Sequence, residues 1–470
     1  MRNLLLPLFG LSLMTACAQA PDPYWVSFTV RPNDEGAEIV ADVRGGPATA
    51  WVGFGVGVGP GASPQLVDQI EGVAAFSADG EALEMSATGR AGYRIETNGK
   101  PWQLIYRLRL LPKTEDHSFY RASTRGIDYL ILVGSDAWPR FYSDASPLTA
   151  PPEARPAGPV SGASARFQLP QSYSDWKVIS TAWEETPNSF AMRQHPAGSV
   201  FALGPFDTVQ LPGLEGVRIA LHPDWDIMPG QVEQLVTELL RSHREMLDKL
   251  DNARALALLS PMPPALSPRG GLRTAGMVRG QTLVVYAAKA PLIPAHHPDI
   301  AEAMAVFLGH ELFHLWIPTA VQLTRELSWL SEGWAMHMGR RAAVATGWLD
   351  EAAESRRLGV SYRRYLDIGG YRAGSLPAAS VGPEGQRNLL YLRGELVFRL
   401  LKQEWHRAHP DQPFARALWK ALVAAYDGIT PLDSAAVRAI LTDLVDATTV
   451  RRYVEGQAPL TPDVLGLTGQ

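Results

Sequence analysis

The sequence predicts an α+β multidomain protein, with a β half, a mixed centre and a helical end. Three observations carry this. At 470 residues the chain exceeds one core, since domains hold roughly 100 to 200 residues. Residues 24 to 140 carry short β-branched and aromatic runs between Pro and Gly turns. From Ile300 onward the apolar spacing changes to that of helices. Composition is that of an ordinary globular chain, and the net charge of -5 is spread along it, which leaves no nucleic-acid footprint.

The first residues read as a targeting segment. Arg2 gives a positive start, and Leu4 to Leu13 form an apolar run too short to span a bilayer. Ala18-Gln19-Ala20 fits an ordinary cleavage site, but Pro21 follows it directly. Met14-Thr15-Ala16-Cys17 resembles a bacterial lipobox. Cys17 is the only cysteine, so no intramolecular disulfide can form. Residues 1–20 are therefore expected to be a signal peptide with lipid attachment at Cys17. A soluble periplasmic or secreted form is the alternative. Either way the protein is expected to be exported, and the lipid form is expected in the bacterial cell envelope, at the outer membrane facing the periplasm.

Tyr24 to Val30, Ala37 to Val43, Trp102 to Leu110 and Ile127 to Val133 read as strands. The run Gly53-Phe54-Gly55-Val56-Gly57-Val58-Gly59 lacks a following helix and a later acidic partner, so it reads as a bend and not a dinucleotide loop. Residues 143–163, rich in Pro, Ala, Ser and Gly, read as a linker. Further strands are expected at Trp176 to Trp183, Ser199 to Leu203, Val217 to Leu221 and Thr282 to Ala287. Gln231 to Leu250 reads as an amphipathic helix. Helices follow near 300–317, 326–346, 350–367, 388–408, 413–427 and 432–445.

The chemistry concentrates in His310-Glu311-Leu312-Phe313-His314. Two histidines at i and i+4 share one helix face, about 6 Å apart along the axis. Both can reach one zinc ion, and Glu311 beside them can act as general base toward water. Ala303, Met304, Val306, Phe307 and Leu308 precede the motif without a charge, so this is a buried helix. Three ionisable groups there are costly unless something satisfies them, and a metal does so. Trp329-Leu330-Ser331-Glu332-Gly333-Trp334 offers a third ligand, Glu332, 18 positions after His314. A helix, a turn and a return helix fit that spacing. Two His and one Glu with an open fourth position match catalytic rather than structural zinc.

HELFHLW followed by WLSEGW resembles the gluzincin metallopeptidases, and among them the glycyl aminopeptidase family. The likeness is strong from 300 to 460 and weak over the β half. It implies an N-terminal β-sandwich-like domain (21–210), a thermolysin-like catalytic domain (211–346) and a C-terminal α-helical domain (347–470). One zinc ion held by His310, His314 and Glu332 is implied, with Glu311 catalytic. Tyr391-Leu392-Arg393-Gly394 is similar to the family's Y-x-K-G element, where the Tyr hydroxyl stabilises the oxyanion. That match assigns Tyr391 the role, with Tyr362, Tyr365 and Tyr371 as rivals. Arg452 to Leu460 resembles the close of the helical domain, and no PDZ module is expected after it. Gly270-Gly271-Leu272-Arg273 stands where the family commonly reads G-G-L-E, its Glu binding a free amino terminus. Arg273 leaves aminopeptidase and endopeptidase action both open. His337 is a candidate to orient a ligand, and His296 and His297 read as solvated. The expected function is zinc peptidase action on peptide or protein substrates, with the Thr282–Ala287 strand receiving the chain. The alternative is an inactive envelope lipoprotein on a peptidase fold, acting as a scaffold.

Overall fold

The computed structural model describes residues 24–55, 64–110, 123–150, 160–192, 195–214, 216–224, 229–248, 255–263, 274–287, 298–370, 374–382, 387–428 and 430–467. The signal segment with Cys17, and also Arg273, His296, His297 and Tyr371, lie outside them.

The first half is built of strands that alternate buried and exposed residues, as Tyr24–Asn33 does along its whole length. It forms a seven-stranded sheet and two four-stranded sheets. Their inner faces share one core, with Phe28, Ile39 and Leu104 from the large sheet and Val52, Ile95, Leu132 and Phe201 from the smaller ones. The expected strands are present with changed limits. Ile127 is 74% exposed, and its strand starts only at Leu130. The run Trp176 to Trp183 divides into Lys177–Ser180 and Trp183–Thr186, which belong to different sheets. Residues 160–163, read as linker, instead open the strand Val160–Phe167, paired in parallel with Tyr24–Val30. Its small residues mislead by composition. A Cβ on Gly162 would lie 2.3 Å from the Trp25 ring, so the glycine lets the indole lie across the strand.

A five-stranded sheet follows, in the order Asp207–Gln210, Val217–Leu221, Ala255–Pro261, Thr282–Ala287, Thr274–Arg279. Its middle three strands are parallel and, Arg218 apart, largely apolar on both sides, as a sheet covered on both faces requires. Ile219, Ala257, Leu259, Leu283 and Val285 face the helices. Ala220, Leu256, Leu258, Val284 and Tyr286 face the β half, where they meet Ile131, Val200 and Phe206. The Tyr129 hydroxyl donates to the Pro261 carbonyl at 2.6 Å across this seam. The β half is thus a buttress behind the sheet.

The longer helices are α1 (Pro229–Met246), α2 (Pro298–Phe313), α3 (Ser328–Ala345), α4 (Glu351–Asp367), α5 (Arg387–Ala408), α6 (Phe414–Ala425) and α7 (Ser434–Leu444). α2 and α3 carry almost no polar face because both are enclosed, and Trp316, Trp329 and Trp334 are fully buried around them. α3 and α5 touch backbone to backbone. A Cβ on Gly333 would stand 2.3 Å from the Gly394 carbonyl carbon. Arg340 on α3 and Glu395 on α5 form a buried ion pair in the same contact.

Candidate metal and peptidase site

α2 delivers His310 and His314 one turn apart, and α3 returns antiparallel to bring Glu332 between them. The His310 and His314 Nε2 atoms are 3.3 Å apart. Each is 3.4 Å from Glu332 Oε2. The two rings stand perpendicular, with centroids 4.9 Å apart. Three donors 2.0–2.1 Å from a tetrahedral ion are about 3.3–3.4 Å from one another, so this triangle fits zinc.

The tautomers agree with that fit. His314 Nδ1 faces the Ile317 carbonyl at 2.9 Å and must carry its proton, which leaves the Nε2 lone pair directed at the triangle. That carbonyl is available because α2 ends at Phe313 and the backbone at Ile317 is extended. Burial disfavours the His314 imidazolium, but the Glu332 carboxylate outweighs it and raises the pKa to about 9. Burial likewise acts to raise Glu332, and His314 and His310 together hold it below the usual carboxylate range. Without an ion, the site's charges can compensate only one another.

Glu311 is 8% exposed, beside the triangle, and its carboxylate lies against the strand Thr274–Arg279. A Cβ on Gly276 of that strand would be 2.3 Å from the Glu311 carboxyl carbon. Only glycine gives the carboxylate this position. Tyr391, in the first turns of α5, lines the same cleft, its ring 6.0 Å from the His310 ring. Tyr362 and Tyr365 do not line it, and Tyr365 is fully buried beside Arg393. Arg393 itself is a structural tie, its guanidinium donating to the carbonyls of Gly370, Tyr453 and Gly456.

The cleft holds about 610 Å³ between α2, α3, the start of α5 and the strand Thr274–Arg279. This corrects one expectation. Thr282–Ala287 cannot receive a substrate, because its neighbours on both sides are strands. Among the described residues, the unpaired sheet edge at the cleft belongs to Thr274–Arg279, which sequence reading missed. His337 also falls elsewhere. It packs on Phe398 at 5.1 Å, and burial followed by the charges of Lys402 and Arg340 pushes its pKa well down.

His243 was not foreseen. Its Nε2 lies 2.8 Å from the Gly309 carbonyl, so the ring on α1 braces the turn that presents His310. Burial lowers its pKa to about 4 and keeps it neutral. The signal, a lone His on an amphipathic helix 66 residues away in sequence, says nothing about what it touches.

A second His–carboxylate cluster joins Asp128, His222 and Asp224 at the seam between β half and central sheet. There His222 Nδ1 accepts the Asp224 backbone N–H at 3.1 Å, and Nε2 is 3.1 Å from Asp128 Oδ1.

The sequence matches no protein-family model and no curated protein. The fold has clear likenesses. It is similar to an aminopeptidase N family protein from Idiomarina loihiensis, with a TM-score of 0.79 and 13% identity over 94% of this chain and 78% of that one. It is also similar to an M1 zinc metallopeptidase from Deinococcus radiodurans, with a TM-score of 0.55 and 16% identity over 94% and 96% of the two chains. A variant of that enzyme bound to a Tyr-Ser-Ala substrate gives a TM-score of 0.54 at 15% identity, over 94% and 96%. The chain therefore has the α+β multidomain fold of M1 aminopeptidase-like gluzincins. The neighbours carry that family's name, whereas the motifs resemble the glycyl aminopeptidases.

Proposed function

We propose that this chain is a zinc-dependent peptidase in which His310, His314 and Glu332 hold one metal ion. The supporting observation is the near-equilateral triangle of their donor atoms, 3.3 to 3.4 Å on each side. The ion supplies Lewis acidity to a scissile carbonyl and to an attacking water. Glu311 takes the water's proton on its carboxylate and later passes it to the leaving amine. Tyr391 Oη donates a hydrogen bond to the oxyanion as charge develops there. The free edge of Thr274–Arg279 pairs with the substrate backbone and lays the peptide beside Glu311.

The scaffold reading has no specific observation in its favour, since a chain released from catalysis gains nothing by keeping Glu311, Gly276 and Tyr391 around one cleft. The protein acts on peptides or proteins in the bacterial envelope, held to the membrane by a lipid at Cys17. Zinc-loaded protein is expected to cleave members of a peptide library, and Glu311→Gln to bind zinc without cleaving. Equal cleavage by both would remove Glu311 from the mechanism. Labelling cells with a palmitate analogue tests the anchor, and Cys17→Ala should abolish the label.

A further inference from the structure

The charge of the cleft is uneven. Among the described residues lining it, the carboxylates are Glu311 and Glu332, both committed to the centre. The walls instead carry Arg279, Arg325 and Arg357. Arg357 is paired with Glu302 at 3.0 Å. Arg279 is on the odd face of its strand with Met277, opposite Gly276. It acts on Asp136 of the β half, whose carboxyl burial pushes up to about 6 while Arg279 draws it down. Arg325 is exposed at the rim just before α3, next to Ser328 and Ser331, which also line the cleft. Its carbonyl accepts the Ser328 hydroxyl at 2.8 Å, and its guanidinium forms no ion pair with a described residue.

The surrounding sequence adds no counter-charge. No acidic residue occurs between Asp251 and Asp299, the stretch containing the edge strand and its two neighbours in sequence, whereas Arg254, Arg269, Arg273, Arg279 and Lys289 do. The cleft-facing positions of the edge strand, Thr274, Gly276 and Val278, are uncharged. A free α-ammonium entering here gives up water and finds no unused carboxylate among the described lining residues in return, which is unfavourable. A carboxylate finds a guanidinium able to bind it through two hydrogen bonds.

From this, and resting on the peptidase reading above, we propose that the cleft selects peptides by a carboxylate presented to Arg325 and does not require a free α-amino group. The carboxylate is an acidic side chain near the cleaved bond.

The test uses the zinc-loaded full-length protein and matched N-acetylated peptides differing at one position, Glu against Lys, each as C-terminal acid and amide. The Glu peptide is expected to exceed the Lys peptide in kcat/KM by about fivefold or more at low salt, with the ratio shrinking as salt rises. The preference is expected in the acids and the amides alike; a preference for acid over amide with Glu and Lys peptides cleaved equally would assign the carboxylate to the C-terminus and overturn the proposal. Arg325→Glu should reverse the ratio, and Arg325→Lys should keep its sign. Equal or better cleavage of the Lys peptide, an Arg325→Glu variant with the ratio intact, or cleavage confined to peptides with a free amino terminus would overturn the proposal. If no peptide is cleaved, the peptidase reading fails by itself. Calorimetric binding of the same peptides to zinc-loaded Glu311→Gln then decides the selectivity, with tighter binding of the Glu peptide supporting it and equal or weaker binding overturning it.

Discussion

Two clusters in this molecule combine histidine with carboxylate and differ in what their histidines can do. At the Asp128/His222/Asp224 seam, the imidazole accepts a backbone N–H at Nδ1, so Nε2 carries the proton, 3.1 Å from Asp128 Oδ1. At the cleft, His314 Nδ1 faces a carbonyl and keeps its proton there, so Nε2 is the nitrogen that can give up its proton to bind an ion. Proximity of His and Asp or Glu does not make a metal site. The partner of the other ring nitrogen decides whether a lone pair is left for an ion. The first cluster pins two sheets together, and the second is organised to hold a cation with Glu311 and Tyr391 at hand.

The comparison is sharpened most by removing the base. Glu311→Gln is expected to retain zinc while kcat falls on the order of 10²–10⁴-fold, measured by single-peptide kinetics with metal analysis of the same sample. Tyr391→Phe should lower kcat by roughly 10²-fold with little change in KM, because its hydrogen bond strengthens only as the oxyanion forms. A KM effect alone would make Tyr391 a substrate contact. Gly276→Ala pushes on the Glu311 carboxylate and should cost about tenfold or more in kcat without loss of zinc, since small misplacements of catalytic groups are expensive. The smallest effect on activity belongs to the other cluster. His222→Ala should leave zinc content and kcat near wild type and lower unfolding stability by about 1–3 kcal/mol, read by denaturant titration. Loss of zinc from that variant would break the distinction drawn between the two clusters.

What was legible in the sequence follows the range of the signal. His310, Glu311 and His314 lie within one helical turn and a residue, so spacing alone placed them on a common face. Glu332 was reachable because a helix–turn–helix is the natural path over 18 residues. The parallel strand Thr282–Ala287 announced itself as a nearly continuous apolar run, since both its faces are buried. The edge strand Thr274–Arg279 did not. Its Gly276 and end-placed Arg279 erase the alternation on which strand reading depends, and the glycine is there for the sake of Glu311. The strand Val160–Phe167 was hidden for a similar reason, its Gly162 making room for the Trp25 ring. His243 was out of reach because its contact with Gly309 exists only once α1 and α2 have packed. Long-range packing, rather than local propensity, wrote the parts of the site that were missed.

The most direct test of the metal site is a zinc-edge anomalous map or X-ray absorption spectrum of the zinc-loaded protein. One ion per chain is expected, with two imidazole nitrogens and one carboxylate oxygen at about 2.0–2.2 Å, assigned to His310, His314 and Glu332. Zinc located instead at Asp128, His222 and Asp224, or zinc-replete protein that holds none, would contradict it.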